Sequence, residues 1–204
     1  SHEMKYTATY DAAHGDGSNG NFGAHGFNEA GVSMTSTVSA TPHDKILEAD
    51  PLVKNGLAEA AMVDLVLPRA KTAREGIELV AKVLDEKGSA EGNIIVVADK
   101  NELWYMEILS GHQYVAILFP EDRYAVFPNT FFLGHVDFSD KERTIASKDV
   151  EKVARDAGTY KEIDGQFHVS QSYNPPLHEA DRSRVWSGIK SLDPNADVNY
   201  DDDY

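Results

Sequence analysis

From Met4 to Tyr10 the chain alternates Met, Tyr, Ala and Tyr with Lys, Thr and Thr, a period of two that predicts a half-buried strand. A polar, Gly-rich loop follows from Asp11 to Asn21. Phe22 to Phe27 and Val32 to Thr37 then flank Asn28-Glu29-Ala30-Gly31, whose Asn and Gly can supply the positive φ angles of a hairpin turn. Ala58 to Leu67 reads as a helix, with Pro68 near its end. A second helix opens at Thr72, whose hydroxyl can cap while Glu75 reaches back to the Thr72 amide. Ile77, Val80, Ala81 and Leu84 form one buried stripe at helical spacing, and Gly88 closes the helix as a left-handed residue. Three β-rich runs come next: Asn93 to Ala98, Leu103 to Leu109 and Gln113 to Phe119. Their short connections predict an antiparallel meander. Tyr124 to Pro128 reads as a continuation of the sheet, and Lys148 to Ala157 and Asp181 to Ile189 as helices. With no repeat and no βαβ alternation, the pattern is that of an α+β layered fold.

Composition narrows the function. The 204 residues, 41% apolar and 26% charged, suit a single packed domain. A net charge of −15 repels phosphate backbones and anionic lipids, which argues against nucleic acid as a partner. No run of 18 apolar residues occurs, so membrane insertion is not expected. The chain has no cysteine, which excludes a disulfide, a zinc-thiolate site or a cysteine nucleophile within it. Met4 follows three residues, and the chain stops at Asp201-Asp202-Asp203-Tyr204. Neither end reads as a natural domain boundary, and an internal piece of a longer protein is expected.

Several motifs fail on context. Gly15-Asp16-Gly17-Ser18-Asn19-Gly20 matches a dinucleotide fingerprint in spelling, but strand-like residues follow it where a helix is required. Asp193, Asn195, Asp197, Asn199 and Asp201 alternate as in a calcium loop, yet Val198 replaces its glycine and Tyr204 its bidentate acid. The eight histidines show no zinc spacing, and no cofactor is expected. Alternation puts Glu107 on the side of Tyr105 and Leu109, opposite Trp104, Met106 and Ile108. A partly solvated face is the plain reading there, and if that face is covered the carboxylate needs a partner.

Five segments carry a resemblance: Gly26-Phe27-Asn28-Glu29-Ala30-Gly31-Val32-Ser33-Met34-Thr35, Lys71-Thr72-Ala73-Arg74-Glu75-Gly76, Ala90-Glu91-Gly92-Asn93, Trp104-Tyr105-Met106-Glu107 and Ser183-Arg184-Val185-Trp186. In this order, over nearly the whole chain, they resemble the bacterial dipeptidase A family of cysteine N-terminal-nucleophile (Ntn) hydrolases, relatives of bile-salt hydrolase and penicillin V acylase. The resemblance implies an Ntn-hydrolase-like αββα four-layer sandwich of antiparallel sheets, incomplete at both termini, with residues 1–204 as a single partial domain. It also implies that an N-terminal Cys, its thiol proton taken by its own α-amine, attacks a peptide carbonyl while an oxyanion hole stabilises the intermediate. That Cys, and the family's opening strand, are not in this chain, so the chain alone is expected to be inactive.

What the resemblance assigns here are the walls of the site. Asn129, in Tyr124-Ala125-Val126-Phe127-Pro128-Asn129-Thr130, matches the residue that faces the reacting carbonyl. Arg184 matches a late arginine that supports the thiolate, with Arg182 two residues away as the alternative. A second oxyanion Asn of the bile-salt hydrolase relatives falls about at Val38, so Thr37 or a backbone amide would substitute. The expected partner is a small peptide. Pairing of copies through a sheet edge left open by the missing strand is a further expectation, and members of the family occur both in the cytoplasm and outside the cell. The rival readings are a non-catalytic substrate-binding or cell-surface interaction domain and an inactive family member.

Overall fold

In the computed structural model, which describes residues 3–10, 23–38 and 40–200, the alternating segments pair in the order in which they occur along the chain. Strands β1 (Tyr6–Tyr10), β2 (Gly23–Asn28), β3 (Ser33–Val38), β4 (Asn93–Ala98), β5 (Leu103–Ile108), β6 (Tyr114–Leu118) and β7 (Thr144–Ala146) form one antiparallel sheet in sequence order. The hairpin and the meander are as the sequence predicts. At the β2–β3 turn, Gly31 takes a positive φ of 84°, but Asn28 does not, and its role is different from the one expected. Its Nδ2 donates to the carbonyls of Leu67 and Ala70 at 2.8 and 2.7 Å, while its Oδ1 accepts from the amides of Ala30 and Val32 at 3.0 Å. Hydrogen bonding, and not a left-handed backbone, makes asparagine the suitable residue there.

One face of the sheet is covered by α2 (Glu59–Val66) and α3 (Ala73–Lys87). Ile77, Val80, Ala81 and Leu84 of α3 are buried against Met34, Ile95, Val97, Trp104 and Met106. Each fully buried aliphatic side chain of this kind contributes roughly 1.5–3 kcal/mol. Thr72 caps α3 as predicted, its hydroxyl accepting from the Glu75 amide at 3.1 Å. The Glu75 carboxylate, however, accepts from Lys71 and not from Thr72, at 2.8 Å. Asp99 takes the amide of Ala73 at 2.7 Å, tying the helix to the β4–β5 turn. Gly88 has a positive φ of 72° with an extended ψ of −177°, so it caps the helix without being left-handed helical.

The opposite face carries Ile94, Tyr105, Leu109 and Val115. It is covered by α1 (Asp44–Ala49), α4 (Val150–Asp156), α5 (Val169–Tyr173) and an irregular run through Phe131 and Leu133. A small hairpin of β8 (Glu162–Ile163) and β9 (Gln166–Phe167) precedes α5, and α6 (Glu179–Leu192) ends the described chain. Two expectations are corrected on this face. Residues 124–128 are not a strand. Proline at 120 and 128 removes two ladder donors, and Phe127 packs its ring on Tyr105 instead of pairing at the edge. The outermost strand is Thr144–Ala146. Glu107 is fully buried, so its face is not partly solvated. The glycine-rich segment at residues 15–20 and residues 201–204 of the acidic end lie outside the described residues.

Candidate active site

Strand pairing sets Thr37 of β3 opposite Ile94 of β4, and Ile94 opposite Glu107 of β5. Directly paired residues project from the same face. Thr37 and Glu107 therefore stand in one row, two strand spacings or about 10 Å apart. Residues 127–133 cross that row, with Asn129 at the Thr37 end and Phe132 at the Glu107 end. Asn129 and Thr130 form a bend, after which the chain runs on to Phe132 at the Glu107 end.

The crossing segment is held along its length, and its Leu133 carbonyl accepts from the Ser170 amide at 2.7 Å. Phe127 meets Tyr105 edge to face with ring centroids 5.0 Å apart. Asn129 Nδ2 donates to Thr37 Oγ1 at 3.1 Å. The Phe131 amide donates to Asn174 Oδ1 at 3.0 Å, and Asn174 Nδ2 returns a bond to the Phe131 carbonyl at 2.7 Å. The amides of Phe132 and Leu133 both donate to Glu107 Oε1, at 2.5 and 3.0 Å. The Tyr105 hydroxyl donates to the same oxygen at 2.7 Å. Burial pushes the Glu107 carboxyl up to about 7, while these three donors pull in the opposite direction. Burial, and then the neighbouring Glu107, push the Tyr105 phenol well above its ordinary value.

Arg184 reaches the site from α6. Its Nη1 donates to Asn129 Oδ1 at 2.7 Å, its Nη2 to Asp181 Oδ1 at 2.7 Å and its Nε to the Ala180 carbonyl at 3.1 Å. Because the guanidinium has no acceptor, it fixes which end of the Asn129 amide faces it and turns the NH2 toward Thr37. Asp181 also accepts from the His178 amide at 3.2 Å. Arg182 donates to the Leu177 carbonyl at 3.3 Å. Under the sheet end, Asn93 Oδ1 accepts from the Thr37 amide at 3.2 Å. Gly92 makes this possible, since a Cβ there would lie 1.9 Å from the Ala40 carbonyl oxygen.

Thr37, Asn129 and Arg184, each singled out in the sequence, are thus joined in one hydrogen-bonded chain. Asp181, Asn93 and Asn174 were not singled out. Asp181 leaves a local signal, lying three residues before Arg184 on a helix face. Asn93 and Asn174 leave none, because their partners are backbone groups distant in sequence. An amide and a guanidinium side by side suit stabilisation of an anion, and neither can take a proton at neutral pH. Among the described residues no cluster of His, Asp and Glu is placed to hold a metal. A cavity of about 340 Å3 whose walls include His43, Lys45, Lys161, Gln171 and Asn174 meets the crossing segment through Asn174, and Thr37, Asn129 and Arg184 are not among its walls.

The chain is 61% identical over 201 residues to a probable dipeptidase B of Streptococcus pyogenes serotype M1, covering 98% of this chain and 40% of that protein. It is 36% identical over 199 residues to a probable dipeptidase of Latilactobacillus sakei, covering 93% of this chain and 40% of that one. A probable dipeptidase of Salmonella dublin is 35% identical over 199 residues, 96% of this chain and 45% of its own length. The chain therefore spans about two-fifths of the length of these curated relatives. The sequence pattern of one family runs through residues 1–204 from end to end, and by it the chain belongs to peptidase family C69.

Proposed function

We propose that this chain supplies the walls of a dipeptidase active site whose nucleophile, an N-terminal Cys, lies on a segment of the full-length protein outside the present sequence. The observation that carries the reading is the chain of bonds from Arg184 through Asn129 to Thr37. In it Asn129 donates to the oxyanion of the tetrahedral intermediate. Arg184 orients that amide and supplies positive charge, and Thr37 contributes to the donor set beside the substrate. The substrate is a small peptide. The seven-stranded sheet carries α2 and α3 on one face, as one half of an αββα sandwich would, while its other face is covered within this chain by α1, α4, α5 and residues 131–133. Strand β1, outermost on its side among the described strands, suits pairing with the rest of the full-length protein or with a second copy.

The absence of cysteine from this chain favours one other reading, a peptide-binding domain or an inactive family member. The same experiment separates the two. The full-length protein should hydrolyse dipeptides and lose activity on Cys→Ser, and the 204-residue chain alone should show none. Asn129→Ala in the full-length protein should lower kcat/KM by about a hundredfold, the scale of one oxyanion donor, with an unchanged melting temperature. An inactive full-length protein would favour the binding domain, and a fully active Asn129→Ala variant would remove Asn129 from the chemistry.

A further inference from the structure

Glu107 is an expensive residue for its position. It sits among Ile94, Tyr105, Leu109 and Val115, is fully buried, and has no ion-pair partner among the described residues. Its Oε2 has no hydrogen-bond partner among the described residues. An unpaired carboxylate in apolar surroundings is costly, and an aliphatic side chain of similar volume is often more stabilising at such a position. What a hydrocarbon could not do is accept the amides of Phe132 and Leu133, which belong to an irregular run with no strand partner.

We infer that Glu107 is a positioning residue for Asn129, its buried carboxyl fixing the far end of the segment that delivers the Asn129 amide to Thr37. This rests on the reading of Asn129 as oxyanion donor. The argument is geometric. Thr37 and Glu107 are two strands apart in one row, and the run from Asn129 to Phe132 joins them through the Asn129–Thr37 bond at one end and the Phe132–Glu107 bond at the other. With both ends held, Asn129 has little room to slide along the sheet. With the Glu107 bonds removed, the segment keeps its side-chain contacts, the Asn174 clamp at Phe131 and the bond from the Ser170 amide to the Leu133 carbonyl at 2.7 Å, none of which holds the Phe132 amide. A shift of about 1 Å in a catalytic group can cost a hundredfold in rate. Asn93, on the strand next to that of Thr37, holds the other member of the pair by accepting the Thr37 backbone amide.

The test uses the full-length protein and two substitutions. Glu107→Gln keeps an oxygen for both amides, and its kcat should stay within about threefold of wild type. Glu107→Leu fills the space without accepting a bond, and its kcat should fall tenfold to a hundredfold with KM little changed. Combined with Asn129→Ala, Glu107→Leu should add no further loss, because both act through one amide. A folded Glu107→Leu enzyme of normal kcat, or a loss that adds fully to that of Asn129→Ala, would overturn the positioning role. If Glu107→Leu does not fold, hydrogen exchange of the wild-type protein decides. The Phe132 and Leu133 amides should then be as protected as those of β4, and exchange at exposed-loop rates would overturn the proposal. Full activity of Asn129→Ala would instead remove the reading on which the inference rests, an outcome distinguishable from any Glu107 result.

Discussion

Asn28 and Glu107 are both buried polar residues with opposite balances. Asn28 satisfies both ends of its amide, joining the β2–β3 turn to the end of α2. Asn28→Ala leaves two carbonyls and two amides to find other partners, so a loss of about 2–4 kcal/mol is expected in urea unfolding. Glu107 has an accepting oxygen that is crowded and another that is bare. Its folded-state pKa near 7 lies above the ordinary carboxyl value of 4.5. Between those values the unfolded chain has released the proton that the folded chain keeps. The stability associated with this group is therefore complete below about pH 4.5 and is lost as pH rises to about 7. Glu107→Gln abolishes that dependence, and its melting temperature relative to wild type should climb across this window. A difference that is flat with pH would contradict the assignment. In the sequence Glu107 could be placed on the correct face by alternation alone. The covering of that face could not be read, because the donors come from an irregular segment with no period.

At the scale of elements, what was legible is what repeats. The β2–β3 hairpin, the capped and striped α3 and the β4–β6 meander each carry several turns or alternations of consistent pattern. Strand β7 is three residues long and α5 five, too short for a period to register. Residues 124–128 have the aromatic and β-branched composition of a strand, but Phe127 packs on Tyr105 of the sheet face, Val126 lies against Gly188 of α6 and Tyr124 is exposed. The site residues Thr37, Asn129 and Arg184 were legible only through the family resemblance, since no spacing links a strand, a loop and a late helix. The sheet order carries its own prediction. Strand β4 lies at the centre, while β1 and β7 are outermost among the described strands. In hydrogen exchange of the 204-residue chain, β1 amides should exchange well before those of β4 and β5. Equal protection would mean that the β1 edge is already covered by another strand.

The whole molecule carries a net charge of −15, and its described ion pairs are mostly solvent-exposed contacts one helical turn apart. Such pairs add little, whereas the summed repulsion acts on the compact state. Raising ionic strength from about 0.01 M to 0.15 M shortens the screening length from roughly 30 Å to 8 Å, so the melting temperature should rise by a few degrees. A fall would show that the local pairs outweigh the net charge. The sheet order also has a kinetic side. Adjacent strands are consecutive in sequence throughout, but β4, β5 and β6 are joined by tight turns, whereas residues 39–92 intervene between β3 and β4. That connection is an order of magnitude longer, and closing it costs about 2 kcal/mol more in chain entropy. The meander can therefore nucleate before the β1–β3 strands dock on it. Val97→Ala, in the meander, should slow refolding, while Met34→Ala, in the late-docking hairpin, should act mainly by hastening unfolding.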